Sequence, residues 1–202
     1  MVVGRLKRLA WSLAGLCGFV GAAFAQVSPL YTKPRSSALP IPAATLQAVM
    51  QCVPSSNGKP GPFSAHLVAD STYSLTLIRL TKPDLPHAHG AWSEVYVVEQ
   101  GSGVMQTGGT ITGKLTHNSA THQSEFLNAS CWRRVLPGWA AGPPPAPMRR
   151  APGDKSGTAI AGGVEKRVAA GDMMLIPAGV PHRWLKIDGS VVYLDIKFPK
   201  AQ

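Results

Sequence analysis

At 202 residues the chain is long enough for one domain with a buried core. Only 15% of its residues are charged, while 21 glycines and 18 prolines supply frequent turns, a mixture that favours an all-β barrel. The formal net charge of +10 invites comparison with nucleic-acid-binding proteins. However, the basic residues are scattered and belong to no recognised nucleic-acid motif, so we expect no nucleic-acid partner.

Residues 1–25 have the three parts of a secretory signal peptide. Three basic residues open the segment, an apolar run follows over 9–24, and Ala23 and Ala25 give the small-x-small ending. We expect cleavage after Ala25, which makes the mature protein periplasmic or secreted, with no stable membrane anchor. An uncleaved membrane anchor is the alternative. Cleavage leaves 17 basic and 10 acidic residues, a formal charge of +7.

Two cysteines, Cys52 and Cys131, remain after this cleavage. An exported protein meets an oxidising compartment, where an even pair of cysteines is often bridged. A Cys52–Cys131 disulfide would close a long loop and contribute roughly 4 kcal/mol to stability. Two separate buried thiols are the alternative.

A proline-rich N-terminal extension over residues 26–63 is expected to precede a β-domain over residues 64–202. Within the extension, three apolar residues at helical spacing predict a short helix over 43–53. Alternation of polar and apolar residues then predicts a strand over 71–81.

A group of candidate metal ligands follows that strand. His87 and His89 are two residues apart, so on an extended strand both imidazoles lie on one face. Glu94 comes after a glycine-containing turn at 90–92, which resets the register, and it opens a β-branched and aromatic return strand. Two neutral imidazoles and a carboxylate that converge form a three-ligand site for a borderline divalent metal.

Tyr96 shares its parity with Glu94, so its side chain is expected inside the barrel. There it is a candidate proton donor or base beside the metal. Simple packing of the barrel interior is the alternative.

A second stretch supplies a fourth candidate ligand. Gly171 starts a turn, a short apolar strand is expected over 173–176, and a sharp turn follows over 177–179. His182 then enters a new strand, where its imidazole can join the other three ligands.

These two stretches resemble the two sequence motifs of the cupin superfamily. The first motif has a glycine, five residues, His-x-His, three or four residues, a glutamate, six residues and a glycine. In this chain His87, His89, Glu94 and Gly101 match with the four-residue spacing, and Thr81 replaces the leading glycine.

The second cupin motif has a glycine, five residues, Pro-x-Gly, two residues, a histidine, three residues and an asparagine. Gly171, Pro177, Gly179 and His182 match, while Lys186 replaces the asparagine, which puts a turn contact in doubt and leaves the metal ligands in place. The resemblance covers roughly residues 70–200 and implies a small jelly-roll barrel.

The barrel pattern is lost between the two motifs, over about residues 116–163, which we interpret as an insertion. Its proline- and glycine-rich part, residues 137–157, is expected to be more mobile than the barrel. His66, His117 and His122 lie outside the motifs, so exposed or hydrogen-bonded histidines are the default interpretation for them.

The resemblance implies an exported, single-domain cupin in which four side chains hold Fe, Mn, Ni, Cu or Zn, namely His87, His89, Glu94 and His182. We expect a metal-dependent enzyme of the oxygenase, lyase or isomerase type that acts on a small molecule. A non-catalytic metal or small-ligand binding protein of the cell envelope is the alternative. The substrate is not predicted, since family membership does not imply a reaction, and a homodimer is left open.

Overall fold

The structure is a computed structural model that describes residues 38, 40–51, 63–69, 72–114 and 152–200. The proposed signal peptide, Cys52, Cys131, His117 and His122 lie outside these residues. In the described part of the chain no helix is long and apolar enough to cross a membrane.

One helix and ten strands make up the described part of the chain. In chain order they are α1 (Ala43–Gln51), β1 (Phe63–Ala69), β2 (Ser74–Leu80), β3 (His87–Ala88), β4 (Trp92–Thr107), β5 (Thr110–Thr112), β6 (Lys155–Ser156), β7 (Ala159–Ala161), β8 (Val164–Ala169), β9 (Met173–Ile176) and β10 (His182–Pro199).

Every strand pair in the described chain is antiparallel, and the two long strands β4 and β10 hold the rest together. Strand β10 pairs with β2, β3 and β4, while β4 also pairs with β8 and β9. The short strands β5 and β7 form a separate two-stranded sheet. This arrangement confirms the predicted all-β class and jelly-roll barrel architecture.

Helix α1 covers the outer face of the sheet. It begins where the Pro42 carbonyl accepts a hydrogen bond from the Thr45 backbone N–H at 2.9 Å. Leu46, Val49 and Met50 then lie at the i, i+3 and i+4 positions, so their side chains form one apolar stripe. The expected helix is therefore present over Ala43–Gln51, and residues 52 and 53 lie outside the described part of the chain.

The helix stripe packs on Leu67 of β1, Leu77 of β2 and Val192 of β10. Each of these three side chains is fully or almost fully buried. Burying side chains of this size contributes roughly 1.5–3 kcal/mol each, which is enough to fix a nine-residue helix that would not be stable alone.

The opposite face of β10 points into the barrel, because neighbouring residues on a strand alternate between faces. One end of this interior is apolar and aromatic. Its buried members are Val98, Met105, Val168, Ile176, Trp184, Val191 and Tyr193, and Tyr96 lies where this cluster meets the polar end.

The other end of the interior is polar, and its first row crosses four strands. His66 pairs in register with Thr76, Thr76 with Asp195, and Asp195 with Tyr96. The His66 Nδ1 lies 3.0 Å from the Thr76 hydroxyl, so this histidine is a hydrogen-bonded interior residue.

A second polar row lies one strand repeat further along. Lys197 of β10 pairs with Ser74 of β2 on one side and with Glu94 of β4 on the other. Strand pairing alone therefore places a lysine ammonium beside the predicted metal-binding carboxylate.

The described end of the expected insertion differs from the prediction. Residues 152–163 contain β6, which pairs with β3, and β7, which pairs with β5, so this segment belongs to the sheets. These strands have two and three residues, which is too short for a sequence period to reveal. Residues 116–151 of the insertion lie outside the described residues.

Gly101 is the motif glycine whose role the structure explains most directly. Its φ is 77°, and a Cβ at this position would overlap the Ser190 carbonyl oxygen on the neighbouring strand. Gly189 has the same φ of 77°, but a Cβ there would meet nothing within 4 Å. An alanine at Gly189 would add backbone strain alone, whereas an alanine at Gly101 would add both backbone strain and steric overlap.

We predict that Gly189→Ala lowers the free energy of unfolding by about 1–2 kcal/mol, the cost of a left-handed alanine. Gly101→Ala should cost roughly 1–3 kcal/mol more, because it adds overlap with rigid backbone. Urea unfolding of the two variants and the wild type measures the difference. Equal losses for both variants would show that the contact between β4 and β10 is looser than described.

Candidate metal centre

The four predicted ligand side chains come together at the polar end of the barrel. His87 of β3 pairs in register with His182 of β10, and their ring centroids are 4.2 Å apart. The His89 ring centroid lies 5.3 Å from that of His87 and 6.1 Å from that of His182. Glu94 brings Oε2 to 3.0 Å from His182 Nε2 and Oε1 to 3.6 Å from His89 Nε2.

The Nδ1 atom of each of the three histidines faces an oxygen atom. His87 Nδ1 donates a hydrogen bond to the Leu85 carbonyl at 2.9 Å, and His182 Nδ1 donates to the Val180 carbonyl at 3.0 Å. His89 Nδ1 lies 3.7 Å from an Asp154 carboxylate oxygen. A proton held on Nδ1 leaves Nε2 as the nitrogen available for a metal, which is the tautomer that ligating histidines use.

Glu94 is the most enclosed charge in the site, with only 1% of its side chain exposed. Burial alone would raise its pKa, but the hydrogen bond from His182 and the nearby Lys197 ammonium hold the pKa of Glu94 well below its usual range. Burial likewise opposes charge on His182, yet the Glu94 carboxylate outweighs it and raises the pKa of His182.

Lys197 is a functional residue that the motif pattern did not identify. Its Nζ lies 2.9 Å from His89 Nε2 and 2.8 Å from Glu94 Oε1, so it contacts two of the four candidate ligands. Burial acts to lower the pKa of Lys197, but the Asp195 and Glu94 carboxylates raise it. The ammonium therefore stays charged in this position.

Asp195 is a second residue missed from the sequence. Its Oδ2 lies 3.6 Å from Lys197 Nζ, and burial raises the pKa of Asp195 to about 7 against the opposing charge of Lys197. A usable signal was present, because Tyr193, Asp195 and Lys197 alternate along the final strand and so share its inner face.

Tyr96 lies where its parity predicted. Its hydroxyl is 3.2 Å from His182 Nε2, and only 3% of the residue is exposed. Burial, and then the Glu94 carboxylate, raise the pKa of Tyr96 well above its usual range. The phenol is therefore a proton-holding group in direct contact with a candidate ligand.

The cluster has a closed and an open side. The side chains of Glu94 and His182 are 1% exposed, whereas those of His89 and Lys197 are 21% and 17% exposed. A small molecule would therefore approach past His89 and Lys197, while Tyr96 supports the cluster from the closed side.

Asp154 connects the end of the insertion to the site. Its Oδ1 accepts a hydrogen bond from the Gly90 backbone N–H at 3.0 Å and faces His89 Nδ1. Residue Gly90 also packs so closely on Gly153 that any side chain there would overlap backbone. The returning insertion therefore fixes the turn that carries His89, which no motif spacing indicates.

The donor types suit a divalent transition metal, with three imidazoles and one carboxylate gathered at one end of the barrel. The spacing is not that of a finished coordination sphere: among the described residues, no group of three or more His, Cys, Asp or Glu side chains meets that geometry. The Lys197 ammonium lies between His89 and Glu94 and would have to leave them for an ion to bind.

Comparisons with known proteins give no family for this chain. No family model matches the sequence, and no curated protein matches it. Among solved structures, Bacillus halodurans BH2720 aligns at 13% identity and a TM-score of 0.44, covering 84% of this chain and 85% of that one.

Two further solved structures align at a similar level. An uncharacterised Klebsiella pneumoniae protein with a double-stranded β-helix domain has 10% identity, a TM-score of 0.39, and coverage of 74% and 84% of the two chains. A putative mannose-6-phosphate isomerase from Ralstonia eutropha has 15% identity, a TM-score of 0.40, and coverage of 74% and 92%. The strand pairing of the described residues is that of an antiparallel jelly-roll β-barrel.

Asp84 fixes the segment that leads into β3. Its carboxylate accepts a hydrogen bond from the Trp184 backbone N–H at 2.6 Å, and its own N–H donates to the Trp184 carbonyl at 3.2 Å. This reciprocal pair joins the approach to His87 to the strand that carries His182. Burial raises the pKa of Asp84 from 3.8 to about 7.

We predict a pH dependence of stability from Asp84. Because its pKa is higher in the folded state, folding takes up a proton between the two values, and this group's contribution is lost as the pH rises through about 7. Stability measured by urea unfolding in the presence of a chelator should fall by up to roughly 3 kcal/mol between about pH 5 and pH 8.

Asp84→Asn keeps the acceptor oxygen and removes the titration, so the fall should be smaller in this variant. Asp188→Asn is the matched control, since the pKa of the Asp188 carboxylate is lowered by its hydrogen bonds from Ser102 and Arg167 and it stays ionised throughout. The same pH slope in Asp84→Asn and the wild type would contradict the assignment.

Proposed function

We propose that the protein is an exported, metal-dependent cupin enzyme that acts on a small molecule. His87, His89, Glu94 and His182 would hold one divalent transition metal, with Fe, Mn, Ni, Cu and Zn all suited to this ligand set. The reaction would be of the oxygenase, lyase or isomerase type.

The observation that carries this proposal is the shared orientation of the three histidines. Two of the Nδ1 atoms donate to backbone carbonyls and the third faces Asp154, so Nε2 is the nitrogen that a metal would use on each ring once the Lys197 ammonium leaves His89 and His182 gives up its Nε2 proton. Three imidazoles held in one orientation around a carboxylate support a binding role for this cluster.

When bound, the metal would act as a Lewis acid on a small-molecule oxygen or activate dioxygen. The protein side chains would do the rest. Glu94 brings the negative charge that a divalent ion requires, and Tyr96 holds a proton on its hydroxyl beside His182. The partly exposed His89 leaves a path for a small molecule on the open side.

An enzyme is favoured over a non-catalytic binding protein because the interior holds ionisable groups beyond the four ligands. Tyr96, Asp195 and Lys197 are all buried or nearly so within the same polar end. Incubating the metal-loaded protein with a metabolite mixture separates the two functions by mass spectrometry. Metal-dependent loss of one compound with gain of another indicates an enzyme, whereas retention of an unchanged compound indicates a binding protein.

Export rests on the composition of residues 1–25. We predict that protein recovered from the cell envelope or the medium begins at Gln26, because the basic start, the apolar run and Ala23-x-Ala25 form a cleavable signal. Mass spectrometry of the intact protein measures this. Recovery with Met1 retained would contradict cleavage, and recovery from the cytoplasm alone would contradict export.

The metal site itself is tested by ligand removal. We predict that His89→Ala and His182→Ala each bind Zn²⁺ or Mn²⁺ at least about tenfold more weakly than the wild type, since each loses a nitrogen donor. Both variants should keep β-type circular dichroism, because the apolar faces of their strands are unchanged. Titration against a fluorescent chelator gives the affinities.

His66→Gln is the matched control, since His66 is an interior histidine that bonds to Thr76 outside the cluster. Its metal affinity should equal that of the wild type. Full metal retention by a Glu94→Ala, His182→Ala double variant would remove the proposed site.

A further inference from the structure

Lys197 takes up binding positions that the proposed metal needs. Its ammonium donates to His89 Nε2 at 2.9 Å and lies 2.8 Å from Glu94 Oε1. A nitrogen lone pair that accepts this hydrogen bond cannot also bind an ion, and an ammonium beside a divalent cation is strongly repelled. The lysine and the metal therefore exclude each other at two of the four ligands.

Asp195 offers the ammonium a second place. Its Oδ2 is already 3.6 Å from Lys197 Nζ, and its Oδ1 is buried with no hydrogen-bond partner among the described residues. A buried carboxylate oxygen without a donor is costly, so it is a ready acceptor for the displaced lysine. The four-carbon lysine stem is flexible enough to move between Glu94 of β4 and Asp195 of β10, two carboxylates on the same face of the sheet.

We propose that Lys197 is a built-in competitor of the metal, which holds His89 and Glu94 when the ion is absent and moves to Asp195 when the ion binds. This inference rests on the proposed metal-binding function. It assigns Lys197 a positioning role: the residue sets how tightly an ion must bind to enter the site.

The contact between Lys197 and Glu94 stabilises the metal-free protein. Without Lys197, the carboxylate of Glu94 would keep the hydrogen bond from His182 as its close compensation in a site from which water is largely excluded. Leaving a buried charge poorly compensated is strongly destabilising. Lys197 would therefore stabilise the metal-free protein and lower its affinity for the metal. A substitution that removes the ammonium should change both the stability and the affinity.

Lys197→Met tests the inference, because methionine keeps the apolar stem and removes the charge. We expect it to bind Zn²⁺ at least about tenfold more tightly than the wild type in competition with a fluorescent chelator. In the presence of excess chelator the same variant should unfold at a lower urea concentration. A purely structural lysine would lower stability without raising metal affinity.

Lys186→Met is the matched control. Lys186 lies on the same strand and pairs with Asp188 at 3.6 Å, but its side chain is exposed and away from the cluster. The Lys186→Met variant loses the same net charge as Lys197→Met. Because Lys186 does not contact the cluster, the Zn²⁺ affinity of this variant should equal that of the wild type. An equal gain in both lysine variants would overturn the inference, because it would trace the effect to net charge.

The remaining outcomes separate this inference from the proposed function. If the wild type and Lys197→Met bind Zn²⁺ equally well, the competition is wrong and the metal site stands. If neither binds one equivalent of Zn²⁺, the proposed metal function fails and the inference with it.

Asp195→Asn provides a test that does not depend on the folding of Lys197→Met. In an otherwise wild-type protein, the loss of the Asp195 carboxylate should weaken Zn²⁺ binding at least about fivefold, because the displaced Lys197 ammonium no longer has a carboxylate to pair with. The same change in the Lys197→Met background should have a smaller effect. Unchanged affinity in the single variant would contradict the role of Asp195.

Discussion

The site depends on one buried carboxylate. Glu94 is almost completely enclosed by strands, and a charge in such a place is tolerated only with close compensation. His182 supplies it at 3.0 Å and Lys197 at 2.8 Å. Together His182 and the Lys197 ammonium compensate the carboxylate where a divalent metal would otherwise do so, so the surroundings of Glu94 are already arranged for positive charge.

This arrangement follows from the pairing of the two long strands. The register of β4 with β10 sets Lys197 opposite Glu94 and Asp195 opposite Tyr96. His182 joins them because β10 begins at this residue and pairs there with His87 of β3. The apolar residues at the other end of the barrel give the fold its stability and allow the polar end to hold charges that cost stability.

Much of this was readable from the sequence, since residue spacing determines which side chains share a strand face. The positions of His87, His89, Glu94 and His182 followed from two motifs, and the interior position of Tyr96 followed from parity. Lys197 and Asp195 obey the same parity but lie outside the motifs, so they were missed. Asp154 could not be found this way, because its contact with the turn at Gly90 spans 64 residues across an aperiodic insertion.

The most direct measurement is a crystal structure of the purified protein grown with Zn²⁺, with diffraction recorded on both sides of the zinc absorption edge. The account predicts one strong anomalous peak at about 2.0–2.2 Å from the Nε2 atoms of His87, His89 and His182 and from a Glu94 oxygen. A zinc peak elsewhere in the protein, with the Lys197 ammonium still bonded to His89 and Glu94, would contradict it.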